Sequence, residues 1–170
     1  MSGNEILAIL AISAIMAIHM SAYQDGVRLL SRRELSVSQL RARLLDRKHP
    51  SDEIERAIEH LLETQALDDG RVARAYVQTA AKVKGRGRLR VMRELAAMGI
   101  DKQTASEAVA DAFADVDERS LIAKAIQKKL RGKAKPAGAA EYARLYQYLM
   151  RQGFTPAGIT AALGKFRRVQ

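Results

Sequence analysis

From Ala22 onward, apolar residues recur every three to four positions, in runs separated by short breaks. That spacing predicts amphipathic helices throughout. The first is expected to bury Tyr23, Val27 and Leu30. A Ser36–Gln39 capping box opens the second, with Leu40 and Leu44 inward and Pro50 ending it. The third carries Ile54, Ile58, Leu61 and Leu62.

This three-helix scheme recurs twice. Val72, Tyr76, Ala80 and Val83 form the next stripe, followed by Val91, Leu95 and Met98, then Ala105, Val109 and Phe113. The last set is Ile122 and Ile126, then Tyr142, Leu145 and Leu149, then Ile159, Leu163 and Phe166. Aligning the junctions between second and third helices makes Leu44, Leu95 and Leu149 equivalent. Lys48, Gly99 and Gly153 follow four residues on, then His49, Ile100 and Phe154; with Lys48 and His49 there, the first repeat departs from the pattern and leaves a different turn open. Gly99 and Gly153 suit a left-handed C-cap; Asp101 and Thr155 suit N-caps, and Pro156 a first helical turn. The expected fold is all-α: three tandem three-helix repeats, residues 22–67, 68–114 and 115–170, stacked into an elongated, curved rod. Gly132–Gly138 is the longest break and reads as a solvated connector.

Residues 1–21 stand apart. Ile6–Met20 is almost wholly apolar, yet shorter than a typical span of about 20 residues. Glu5 stands where a signal peptide has a cation, and no cleavage site is convincing. A docked helix, an inefficient anchor, and an extension absent from the working protein all fit. The sequence from Met20 is a natural start for the pattern that follows. No membrane association is expected.

Composition sharpens this picture. Hydrophobic residues make up 48% but aromatics only 5%, so the cores must be aliphatic. Absence of Cys excludes disulfides and thiolate chemistry, which fits a reducing compartment. The net charge of +10 is uneven: −1 over residues 1–21, 0 over 22–67, +3 over 68–114 and +8 over 115–170. A polyanion or an acidic protein surface is the implied partner.

No catalytic constellation emerges. His19, His49 and His60 lack metal-ligand spacing, and Gly85–Arg86–Gly87 has neither the preceding strand nor the third glycine of a nucleotide fingerprint. Asp68 and Asp69 suit a helix start. No enzyme activity, cofactor or metal is expected. The strongest signal is the run Lys82, Lys84, Arg86, Arg88, Arg90, Arg93, which contains no acid. Arg86, Arg90 and Arg93 follow i, i+4, i+7 spacing, and Lys124, Lys128 and Arg131 share a second face. With Arg71, Arg74, Lys82 and Lys84, the residues of these two faces are the candidate contacts for phosphates or acidic protein.

The motifs resemble one family. Leu67-Asp68-Asp69-Gly70-Arg71, Tyr76-Val77, Gly85-Arg86-Gly87, Arg90-Val91-Met92-Arg93-Glu94-Leu95 and Gly99-Ile100 are similar to the central signature of the RecX family of RecA regulators. Arg28-Leu29-Leu30, Arg32-Arg33-Glu34, Ser36 and Leu40 extend the likeness in the first repeat, as do Tyr146, Leu149, Arg151-Gln152-Gly153-Phe154 and Ile159 in the last. Val72 replaces a usual aromatic, and Arg86 and Arg88 replace a common Tyr and Pro.

The resemblance covers about residues 22–168 and implies three three-helix repeats. It also implies a cytoplasmic, non-enzymatic regulator that lies in the groove of the RecA nucleoprotein filament. Such regulators limit RecA ATPase, strand exchange and co-protease activity, and hence homologous recombination in DNA repair and the SOS response. Contacts with single- or double-stranded DNA phosphates, and a monomeric state, are expected with it. The rival expectation is a sequence-independent DNA-binding protein acting without RecA.

Overall fold

The computed structural model describes residues 21–167; the reading of Ile6–Met20 lies outside them. The described residues form α1 Ala22–Leu30, α2 Val37–Asp46, α3 Ser51–Glu63, α4 Asp69–Gln78, α5 Arg88–Ala97, α6 Lys102–Phe113, α7 Glu118–Leu130, α8 Ala139–Gln152 and α9 Pro156–Arg167. A π-helical turn, Thr79–Val83, continues α4. Among these residues there is no strand. Two compact units result: α1–α3 belong to the first, through residue 68, and α4–α9 to the second.

Each set of three helices encloses an aliphatic core. Leu29, Leu40, Leu44, Ile54, Ile58 and Leu61 fill the first. Val72, Val77, Val91, Leu95, Val109 and Phe113 fill the second, and Ile122, Ile126, Leu145, Leu149, Phe154 and Ile159 the third. The equivalence read from the junctions is reproduced in the backbone. Leu44, Leu95 and Leu149 are each 0% exposed. Lys48, Gly99 and Gly153 are all left-handed, at φ 66°, 75° and 87°. The amides of His49, Ile100 and Phe154 reach back to the carbonyls of Leu44, Leu95 and Leu149 at 3.3, 3.2 and 3.4 Å. Those of Lys48, Gly99 and Gly153 donate to Leu45, Ala96 and Met150 at 2.9, 2.9 and 3.0 Å, completing the same paired closure in every repeat.

Helix starts follow the polar signals. Ser36 and Gln39 form the expected capping box, and Ser21 and Gln24 form another on α1. The Asp101 carboxylate accepts from the amides of Gln103 and Thr104. The Thr155 hydroxyl accepts from the Gly158 amide and donates to Glu118.

Four expectations are corrected. In α1 the buried face is Ala22, Asp25, Gly26 and Leu29, while Tyr23 and Val27 are exposed. Gly26 lets this helix approach α3 so closely that an added Cβ would lie 3.0 Å from Leu61 Cδ1. Asp25 can be buried because Arg47 Nη1 and His49 Nε2 donate to its two oxygens at 2.7 and 2.9 Å. Val83 is 79% exposed, since the wide π turn breaks the spacing that would have carried it inward. Leu62 is exposed beside fully buried Leu61. Finally, α2 stops at Asp46 through left-handed Lys48, and Pro50 is the N-cap of α3.

Candidate basic binding faces

The central basic run does not form one outward stripe. Arg86 precedes α5 and turns inward, donating from Nη1 to Glu94 Oε2 at 2.6 Å and to the Tyr76 hydroxyl at 2.8 Å. The Tyr76 hydroxyl donates to the same carboxylate oxygen at 2.6 Å, and Arg90 Nε reaches Oε1 at 3.0 Å. Burial works to raise the Glu94 carboxyl. Hydrogen bonds from Tyr76 and Arg90, and the charges of Arg86 and Arg90, outweigh it and hold the group below the usual range. The phenol of Tyr76 moves the other way, raised by burial and by its bond to Glu94. The cluster therefore joins α4 to α5 as charge-assisted hydrogen bonding.

Arg90 also reaches out of its repeat. Its Nη1 lies 3.4 Å from both the Arg151 carbonyl and Gln152 Oε1. Beside it, the amides of Gly87 and Leu89 donate to the carbonyls of Gln152 and Gly153 at 2.8 and 3.0 Å. The last carbonyls of α8 thus cap the first turn of α5, satisfying groups that either helix alone would leave open.

Other cations face outward. Lys82 and Lys84 leave the π turn exposed, Lys84 with its ammonium 5.9 Å from the Tyr76 ring centroid. Arg93 is exposed, its Nε donating to the Leu89 carbonyl. Lys124 and Lys128 lie exposed on α7, and Arg131 ends that helix in the left-handed conformation, exposed as well. Arg71 is half-buried and Arg74 exposed on α4, each engaged with a neighbouring group. Arg88, outside the candidate set, covers the Phe113 ring at 5.2 Å.

Among the cations not named as candidates from the sequence are Arg144 and Arg151, on α8. They lie seven residues apart rather than in an i, i+4 run, so a search for consecutive basic turns passes over them. With Lys129 from α7 they line an open cleft of about 460 Å³.

Together these features define an all-α protein assembled from tandem three-helix domains with cationic faces. Models of the first, second and third RecX three-helix domains match residues 22–61, 68–109 and 117–163. The chain belongs to the RecX family. It is 33% identical over 137 residues to the regulatory protein RecX of Halorhodospira halophila, covering 81% of this chain and 83% of that one. The regulatory protein RecX of Vibrio vulnificus is 32% identical over 145 residues, covering 85% and 92%. The crystal structure of RecX from Lactobacillus salivarius shares the fold at TM-score 0.73 and 18% identity, covering 87% of this chain and 96% of that one. No helix among the described residues is long and apolar enough to cross a membrane.

Proposed function

We propose that the protein is a cytoplasmic, non-enzymatic regulator that acts as a monomer on the RecA nucleoprotein filament. It docks in the filament groove and limits ATPase, strand exchange and co-protease activity, and so restrains recombination and the SOS response. The match to all three RecX domains carries this reading. Of the candidate residues, exposed Lys82, Lys84, Arg93, Lys124, Lys128 and Arg131 are best placed to meet acidic protein or DNA phosphate. Arg71 and Arg74 are secondary contacts, and Arg86 and Arg90 act by fixing the scaffold through Glu94. Titration into a RecA–single-stranded-DNA ATPase assay is expected to lower turnover; unchanged turnover at stoichiometric amounts would sink the proposal.

The charge of residues 115–170, +8, favours a second reading: sequence-independent DNA binding without RecA. That reading requires tight binding to bare DNA at physiological salt, whereas a filament-directed regulator need bind it only weakly.

A further inference from the structure

In the first two repeats several arginines meet carboxylates: Arg41 with Glu55, Arg47 with Asp25, Arg86 and Arg90 with Glu94. The α7–α8 cleft of the third repeat is different. Arg144 and Arg151 project from α8 exposed, and neither guanidinium has a hydrogen-bond acceptor among the described residues. Lys129 joins them from α7, its ammonium 5.2 Å from the Tyr148 ring centroid. Glu141 is the one acidic residue of the lining, and it is already held by the Ala137 amide at 2.6 Å and Lys133 Nζ at 3.1 Å. Glu141 also lies within the field of Arg144, without a hydrogen bond between them, so the cleft is a concave surface whose three cations outnumber its one acid.

We infer that this cleft is a docking site for an acidic protein segment, whose carboxylates pair with Arg144 and Arg151 while its backbone runs along the floor of Leu130 and Leu145. Two features select a peptide over a nucleic acid. Single strands bind by stacking bases on aromatic platforms, and no aromatic side chain lines the cleft. A carboxylate in the wall, Glu141, also opposes a continuous run of phosphates. Spacing agrees with a peptide. Residues seven apart on a helix project from nearly the same face about 10 Å apart, and alternate side chains of an extended chain share a face about 7 Å apart, a difference that two flexible arginine arms can take up. Guanidinium forks suit carboxylates in paired geometry. The inference does not rest on the RecA reading, because the site can be probed without a filament.

Fluorescence anisotropy of the full chain, at low fixed salt, tests it with two probes. One is a labelled 12-residue peptide bearing Asp or Glu at every second position; the other is a 12-nucleotide oligothymidylate. The Arg144→Glu/Arg151→Glu pair is expected to weaken peptide binding by at least about tenfold. A Lys102→Glu/Arg119→Glu pair, equal in charge but outside the cleft, is expected to change it less than about twofold. Should the first pair unfold by circular dichroism, Arg144→Gln/Arg151→Gln gives the same readout. Equal losses from both pairs would reduce the effect to net charge. Oligothymidylate binding that exceeds peptide binding and depends on the cleft would make it a nucleic-acid site. Absence of peptide binding by the unaltered chain would also overturn the proposal.

Discussion

Gly87 and Gly153 meet backbone to backbone: a Cβ built on Gly87 would lie 2.3 Å from the Gly153 carbonyl oxygen. One built on Gly153 would lie 2.2 Å from the Arg90 amide nitrogen. Gly87 has an ordinary φ of −78°, so its glycine is required by space alone. Gly153, at φ 87°, is required by space and by conformation. Gly85, at φ 60° with nothing within 4 Å of an added Cβ, is required by conformation alone.

Substituting alanine at these positions separates the two effects. Gly85→Ala is expected to cost about 1 kcal/mol from left-handed strain. Gly87→Ala should cost about 2 kcal/mol through overpacking, and Gly153→Ala more than either. Urea unfolding provides the ranking; equal costs for Gly85→Ala and Gly153→Ala would contradict the backbone contact.

Lys48 holds the left-handed position that its two counterparts give to glycine. Lys48→Gly is therefore expected to stabilise the first repeat by about 0.5–1 kcal/mol. A higher thermal midpoint is the sign to look for, and a lower one would show that Lys48 has a compensating role.

Buried Asp25 makes the first repeat sensitive to acid. Burial raises its carboxyl, but hydrogen bonds from His49 and Arg47, with their charges, more than reverse this and leave it below the usual aspartate range. Because the folded value is the depressed one, its contribution is full above the unfolded value and disappears as pH falls from about 4 toward the folded value. Asp25→Asn is expected to cost about 2 kcal/mol at neutral pH and to flatten the decline below pH about 4. Hydrogen exchange at Leu40 and Leu44, followed against pH, checks both.

Arg86 and Arg93 differ in role despite their shared place in the basic run. Arg86→Ala should destabilise by about 2 kcal/mol, because Glu94 loses a charged donor in a half-buried cluster. Exposed Arg93→Ala should stay within about 0.5 kcal/mol. Under the RecA reading, Arg93→Ala should be the variant that weakens filament inhibition while leaving the unfolding curve unchanged.

The parts legible in the sequence were those set by neighbours along the chain. Leu44, Leu95 and Leu149, left-handed Gly99 and Gly153, and the Ser36 and Asp101 caps all follow from local spacing, whereas Lys48 adopts the same left-handed turn with no glycine to announce it. What escaped depended on distant partners. The inward face of α1 was hidden because Ala22 and Gly26 are small, while Asp25 is polar until Arg47 and His49 reach it. The basic run looked like one stripe because Glu94 stands just beyond it and Tyr76 a helix before it. Gly87 stood out only as part of a Gly-Arg-Gly run that is no nucleotide fingerprint, because its contact, Gly153, lies in the next repeat.

That contact also sets an order of completion during synthesis. A ribosome releases α5 well before Gln152 and Gly153 exist, so the amides of Gly87 and Leu89 first meet water and acquire their acceptors only when the end of α8 arrives. The second repeat is finished by the third. A nascent chain stopped before α8 would therefore exchange these two amide protons rapidly, and lengthening it past Gly153 would slow them together.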